Sequence, residues 1–235
     1  DALLRLRFNY PEIGLVLIKS RGDLGKVIDL DRQFRDRRGD WFVRETMLLM
    51  KRVLKRLDLT AKSFFALIEE DSCFGGFMFE LALGADRIYM KSAEGVAIAT
   101  SPLNGGAFQM SNGLSRIETR FLFDPMRARK LAVEERYDAL AALDAGLVTA
   151  APDQLDWDDE VRLAADERLS LSPDALTGME ANLRFAGPET METKIFARLS
   201  AWQNWIFQRP NAVGEHGALK LYGQPASPKF DWKRT

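Results

Sequence analysis

The chain has 235 residues, 46% of them hydrophobic and 29% charged, and a formal net charge of −1. These ordinary globular values exclude a disordered, collagen-like or coiled-coil chain and argue against a general polyanion binder. One cysteine, Cys73, and one histidine, His216, leave neither an intramolecular disulfide framework nor a thiolate–imidazole zinc cluster.

The length suits one α/β domain, or one domain with a helical appendage. No apolar run approaches the ~20 residues that a membrane-spanning helix needs. The start, DALLRLRFNY, lacks the order of a signal peptide. The expectation is a cytoplasmic protein that engages neither membrane nor nucleic acid. The absent initiator methionine points to a processed chain or to a piece of a longer one.

IGLVLIKS, residues 13 to 20, is almost wholly apolar before its lysine, as in a strand buried on both faces of a parallel or mixed sheet. RGDLGKVIDLD follows and, with its two glycines, reads as a loop. From Trp41 to Leu59, Met47, Met50, Val53, Leu54 and Leu57 recur at helical spacing, with Lys51, Arg52, Lys55 and Arg56 on another face. That basic face reads as solvated, because no aromatic residues interleave it to make a nucleic-acid platform. SFFALIE, residues 63 to 69, is a second buried strand. Gly75 and Gly76 then open an apolar helix that closes near Gly84, and DRIYM and GVAIAT supply two more short strands. This strand–helix–strand rhythm implies βαβ crossovers.

Beyond residue 100 the character changes. SPLNGGAFQMSNG, residues 101 to 113, is a loop region, EERYDALAALDAG is a helix closed by Gly146, and LVTA is a brief strand. Helices follow over about 157–169, 173–186 and 188–208, then a tail with aromatic anchors Tyr222, Phe230 and Trp232. The organisation predicted is an α/β core over 1–150 and a C-terminal helical region and tail over 151–235. Asp153, Asp156, Asp158, Asp159 and Glu160 stand at a helix start, where negative charge is favoured without a metal, and no metal site is assigned.

The chemistry concentrates in EEDSCFGGFMFELALGAD, residues 69 to 86. The first N–H groups of a glycine-opened helix lack intrahelical acceptors and can hold an anion or a developing oxyanion. One carboxylate, Glu80, sits among Phe77, Met78, Phe79, Leu81, Ala82 and Leu83, where burial costs several kcal/mol unless compensated. A tight turn beneath a core helix accounts for the glycines equally well, and an ordinary carboxylate near the helix N-terminus accounts for Glu80. There is no dinucleotide or P-loop fingerprint and no Gly-x-Ser-x-Gly elbow; His216 stands alone in a glycine-rich tail, and Cys73 reads as a small buried residue.

FFALIEEDSCFGGFMFELALGADRIYM resembles the strand, Gly-rich turn and Glu-Leu-Ala helix of the crotonase (enoyl-CoA hydratase/isomerase) superfamily, and NGLSRIETRF and ALDAGLVTA are similar to later blocks of it. The resemblance runs from about Ile13 onward. It implies an α/β crotonase-like ββα spiral core with a C-terminal helical trimerisation-type region, a homo-oligomer, and an acyl-CoA thioester substrate whose enolate oxygen two backbone N–H groups hold. CoA would be part of the substrate, with no separate cofactor. On this resemblance Glu80 stands where the family has a catalytic glutamate, Gly76 or Phe77 supplies one oxyanion donor, and Gly25, Lys26 and Gly75 bind substrate, the other donor coming from near Gly25 or Lys26. In that loop only Asp29 matches the family pattern, and where hydratases place a second glutamate this chain reads ATSPLNGG.

SCFGGFMFELALGADRIYM, FQRPNAVGEHGALKLYG and PKFDWKRT look like the C-terminal half of the benzoyl-CoA-dihydrodiol lyase family, a larger crotonase-related group. That resemblance implies a lyase that opens the ring of 2,3-dihydro-2,3-dihydroxybenzoyl-CoA by adding water and releasing formate. The chain would then be about half of its parent, its partner being the N-terminal half of the same polypeptide, which carries the principal glutamates. A non-catalytic half that supports a neighbouring site, and an ordinary enoyl-CoA hydratase or isomerase, stay open as readings.

Overall fold

The computed structural model describes residues 1–233. The chain divides into two compact units, one of Asp1–Val16, Thr60–Ser63 and the segment from Ala164 on, the other of Leu17–Leu59 and Phe64–Leu163. After a short helix, α1 (Ala2–Asn9), strand β1 (Leu15–Ile18) enters the larger unit, where helices α2 (Leu24–Asp36) and α3 (Trp41–Asp58) follow. Strand β2 (Ser63–Ile68), helix α4 (Gly76–Leu83) and strand β3 (Arg87–Met90) form the expected crossover: β2 and β3 run parallel, with Phe65 opposite Arg87 and Ile68 opposite Met90. The sheet order is β1-β2-β3. Every residue of β2 is buried, as its unbroken apolar run requires. Phe64, Phe65, Phe74, Phe79, Ile88, Met90 and Ile98 build the core around it.

RGDLGKVIDLD, expected as a loop, is helical from Leu24 on. Asp23 caps α2, its Oδ1 accepting the N–H of Lys26 at 3.1 Å. Leu24, Ile28 and Asp31 then fall on one face at helical spacing, and the buried contact there outweighs the low propensity of Gly25 in the first turn.

EERYDALAALDAG is also reassigned. Its first part is strand β5, counted after strand β4 (Ile98–Thr100) and helices α5 (Arg116–Arg120) and α6 (Pro125–Leu131). β5 (Glu135–Tyr137) pairs antiparallel with β4, Ile98 opposite Tyr137 and Thr100 opposite Glu135. The helix, α7, is confined to Ala139–Asp144, because the Asp138 carboxylate accepts the N–H of Ala141 and starts it there. LVTA forms no strand; Ala150 makes only an isolated parallel bridge to Tyr89.

Helix α8 (Trp157–Ser170) leads into the smaller unit, which holds α9 (Pro173–Arg184), a π-helical stretch over Thr193–Leu199 running on into α10 (Ser200–Phe207), and α11 (Pro210–Val213). Asp153 Oδ1 accepts from the N–H groups of Leu155 and Asp156, so the first acid of the run closes the turn before α8. Glu180 anchors α9, accepting from Ser63 Oγ and from Arg168 at 2.9 Å, and Arg184 donates to the carbonyl of Lys62 at 2.7 Å. Of the expected tail anchors, Phe230 and Trp232 pair edge-on at 5.7 Å between ring centroids, whereas Tyr222 is 88% exposed and anchors nothing. The last two residues of the FDWKRT block lie outside the described residues.

Candidate functional site

The Gly75–Gly76 turn lies directly against α2. Gly76 has φ +47, a left-handed conformation costly for any residue with a Cβ. A Cβ on Gly76 would sit 2.1 Å from Asp31 Oδ2, and one on Gly75 would sit 2.6 Å from Leu24 Cδ1. Both glycines are therefore demanded by close approach.

What approaches is a carboxylate. The N–H of Phe77 donates to Asp31 Oδ2 at 2.8 Å, and Ser101 Oγ donates to the same oxygen at 3.0 Å. Asp31 is fully buried. Burial pushes its pKa up, opposed by the hydrogen bonds from Ser101 and Phe77 and by the charge of Arg35. Its second oxygen, Oδ1, has no hydrogen-bond partner among the described residues; Arg35 Nε lies 4.0 Å away.

Glu80, 1% exposed, lies one turn further along α4. Its Oε1 accepts from Asn104 Nδ2 at 2.7 Å and its Oε2 from Arg116 Nη1 at 2.8 Å. Arg116 also forks onto Asp58, with Nε to Oδ1 at 3.2 Å and Nη2 to Oδ2 at 2.7 Å, and donates to the carbonyl of Phe108 at 2.9 Å. Desolvation pushes the Glu80 pKa up; Arg116 and Asn104 pull against it, and the Asp58 charge adds to the rise. On the other flank of α4, the Phe77 ring meets Phe34 edge-on at 5.2 Å, in a cluster with Met47, Met50, Leu54 and Phe108.

Glu80, Gly76 and Phe77 lie together in the first turns of α4, but not as an open acid beside open donors. The Phe77 amide is taken by Asp31, and both Glu80 oxygens are taken by Arg116 and Asn104. The expected partner donor is displaced as well, because the Lys26 amide is spent on the Asp23 cap. Gly25 borders a cleft of about 280 Å3 with Asp29, Arg32 and Glu134, and a second cleft of about 550 Å3 lies beside Arg35, Arg38, Gly105 and Gly106. Neither is lined by Glu80 or Phe77.

Sequence reasoning missed Asp31, Ser101, Asn104, Arg116 and Asp58. Two signals were available. Asp31 is an acid at the i+7 position of the Leu24–Ile28 stripe, and Ser-Pro-x-Asn is a capping box, in which Ser101 accepts from Leu103 N–H and Asn104 Oδ1 accepts from Ser101 N–H. The segment that stands in place of a second glutamate thus supplies one hydrogen-bond donor to Asp31 and one to Glu80.

No protein-family model matches the chain. Among solved structures it is similar to an enoyl-CoA hydratase from Geobacillus kaustophilus, at TM-score 0.72 and 17% identity over 98% of this chain and 84% of that one. An enoyl-CoA hydratase/isomerase from Marinobacter aquaeolei matches at TM-score 0.68 and 17% identity, over 99% and 86%. The fold is crotonase-like. In sequence the chain is 51% identical over 239 aligned residues to a benzoyl-CoA-dihydrodiol lyase of Aromatoleum evansii. That alignment takes in 100% of this chain and 43% of the lyase, so the chain spans less than half the length of the curated relative it matches. Among the described residues no helix is long and apolar enough to cross a membrane.

Proposed function

We propose that the chain is a crotonase-like part of a CoA-thioester lyase of the benzoyl-CoA-dihydrodiol lyase type, which opens the ring of 2,3-dihydro-2,3-dihydroxybenzoyl-CoA with water and releases formate. The identity of 51% along the whole chain carries this reading. Within that enzyme this part supports the reaction rather than performing its acid–base step. An acid–base carboxylate needs an oxygen within reach of the substrate proton. Glu80 offers none without breaking a buried hydrogen bond, from Asn104 at Oε1 or from Arg116 at Oε2, and the Phe77 amide is already bonded. The catalytic groups then belong to the remainder of a lyase-length polypeptide, which is this chain's partner. The exposed Met191, Phe196 and Leu199 of the smaller unit support an assembly role for the C-terminal helices, homo-oligomeric as in the trimerisation-type region named above. Coenzyme A enters only as part of the substrate.

Two measurements test this. Calorimetry of the isolated chain with benzoyl-CoA should detect no saturable binding; micromolar affinity would overturn the supporting role. In the full-length lyase, Glu80→Gln should lower thermal stability while leaving kcat/KM within a few-fold. A hundredfold loss at unchanged stability would put Glu80 back into the chemistry, and a full-length enzyme inactive on the dihydrodiol thioester would overturn the lyase assignment itself.

A further inference from the structure

We propose that the cleft of about 550 Å3 between the end of α2 and the 101–107 segment binds a small hydroxy carboxylate with an apolar body. The site is separate from Glu80 and the start of α4. It stands independently of the lyase reading, and its test uses no thioester.

The cations come first. Arg35, Asp36 and Arg38 line one side of the cleft. A guanidinium carries five N–H donors, yet the Arg35 side chain makes a single long hydrogen bond among the described residues, from Nη2 to Glu134 Oε2 at 3.4 Å. Its Nε is buried without a hydrogen-bond partner among the described residues, 4.0 Å from Asp31 Oδ1. These two acids hold the Arg35 side chain in place, but Glu134 is shared with Arg32 and leaves the Arg35 charge largely uncancelled. The side chains of Arg38 and Asp36 have no hydrogen bond or ion pair among the described residues. Two arginines with unmet donors therefore border one cavity.

The charges and the remaining wall select the ligand. Arg35 and Arg38 set against Asp36 leave one positive charge, which suits a monoanion; a phosphate dianion would bring its second charge against Asp36. The planar guanidinium fork matches a carboxylate, and the Asp36 carboxylate, an acceptor only, takes a hydroxyl proton. Leu103 and Ala107 give the other wall an apolar surface. Between them Gly106, at φ +143, has no atom within 4 Å of the place a Cβ would take, so glycine keeps that wall open. Its N–H is spent on the Leu103 carbonyl, which leaves anion binding to the arginines. The volume lies in the range of small-molecule sites, which pair an apolar lining with a few placed polar groups.

The test is calorimetric titration of the unsubstituted chain with sodium mandelate at fixed ionic strength, beside phenylacetate, 1-phenyl-1,2-ethanediol and inorganic phosphate. Mandelate should bind saturably. Phenylacetate, which lacks the hydroxyl, should bind roughly tenfold more weakly, the worth of a hydrogen bond to a charged group, and the uncharged diol should not bind measurably. Arg38 and Asp36 are both exposed, so substituting them leaves the core intact. Arg38→Gln should weaken mandelate roughly tenfold, and Asp36→Ala should bring mandelate and phenylacetate to about equal affinity. Absence of saturable mandelate binding to the unsubstituted chain would overturn the proposal, as would mandelate binding that Arg38→Gln leaves unchanged. Phosphate bound more tightly than mandelate would overturn the choice of a monoanion, and a mandelate preference that survives Asp36→Ala would overturn the role of the hydroxyl.

Discussion

Arg116 lies between two buried carboxylates, 2.8 Å from Glu80 Oε2 through Nη1 and 2.7 Å from Asp58 Oδ2 through Nη2, with all three side chains no more than 2% exposed. It joins α5 to α3 and α4 by charge-assisted bonds that solvent does not screen. Replacing Arg116 with methionine leaves Glu80 without its cation and takes the bidentate partner from Asp58. The expected cost is about 3–5 kcal/mol of stability, read as a lower urea midpoint. Arg116→Lys keeps the charge but cannot fork, and should fall between the two.

Gly76→Ala meets two obstacles at one atom. The left-handed backbone costs roughly 1–2 kcal/mol, and pushing a Cβ into the space held by Asp31 Oδ2 costs about 1–3 kcal/mol more. Asp31→Ala relieves the second obstacle only. The double variant should therefore be more stable than the sum of the single effects, and a thermodynamic cycle from urea denaturation measures the coupling. Strict additivity would mean that the two positions do not share space.

Two of the buried acids, Asp31 and Glu80, have raised pKa values and pull the pH dependence in one direction. A carboxyl whose folded pKa stands above its ordinary value binds its proton more tightly folded than unfolded. Its contribution to stability is fully present below the ordinary carboxylate range, from 3.8 for Asp31 and 4.5 for Glu80, and is lost as pH rises through the folded values. Asp31→Asn mimics the protonated side chain and removes one of these two titrations. Relative to the unsubstituted chain, it should gain stability as pH rises from below that range towards neutrality. A gap between the two proteins that stays constant across that window would contradict the raised Asp31 value.

Asp23→Ala removes the cap of the helix that carries Asp31. The expected loss is about 0.5–2 kcal/mol, with Asp23→Ser close to neutral, measured by the same denaturation. Because α2 positions the Asp31 carboxylate, the alanine variant should also speed amide exchange at Phe77, whose N–H protection depends on that acceptor.

The amino-acid sequence by itself determined the elements whose signals are local. The unbroken apolar run of β2, the amphipathic period of α3, the Gly75–Gly76 break and the apolar α4 each carry their meaning within a few residues, and together they dictate the βαβ crossover. The closeness of Glu80 to the turn was legible for the same reason. Only the tertiary structure decided what those residues touch. Asp31 lies 46 positions before Phe77 and Arg116 lies 36 after Glu80, and no periodicity links residues so far apart. A free backbone donor and an isolated acid look identical in sequence whether they face solvent, substrate or one another's partners. Burial removes the water that would otherwise satisfy them, so here each is completed by a protein group brought in from elsewhere in the chain.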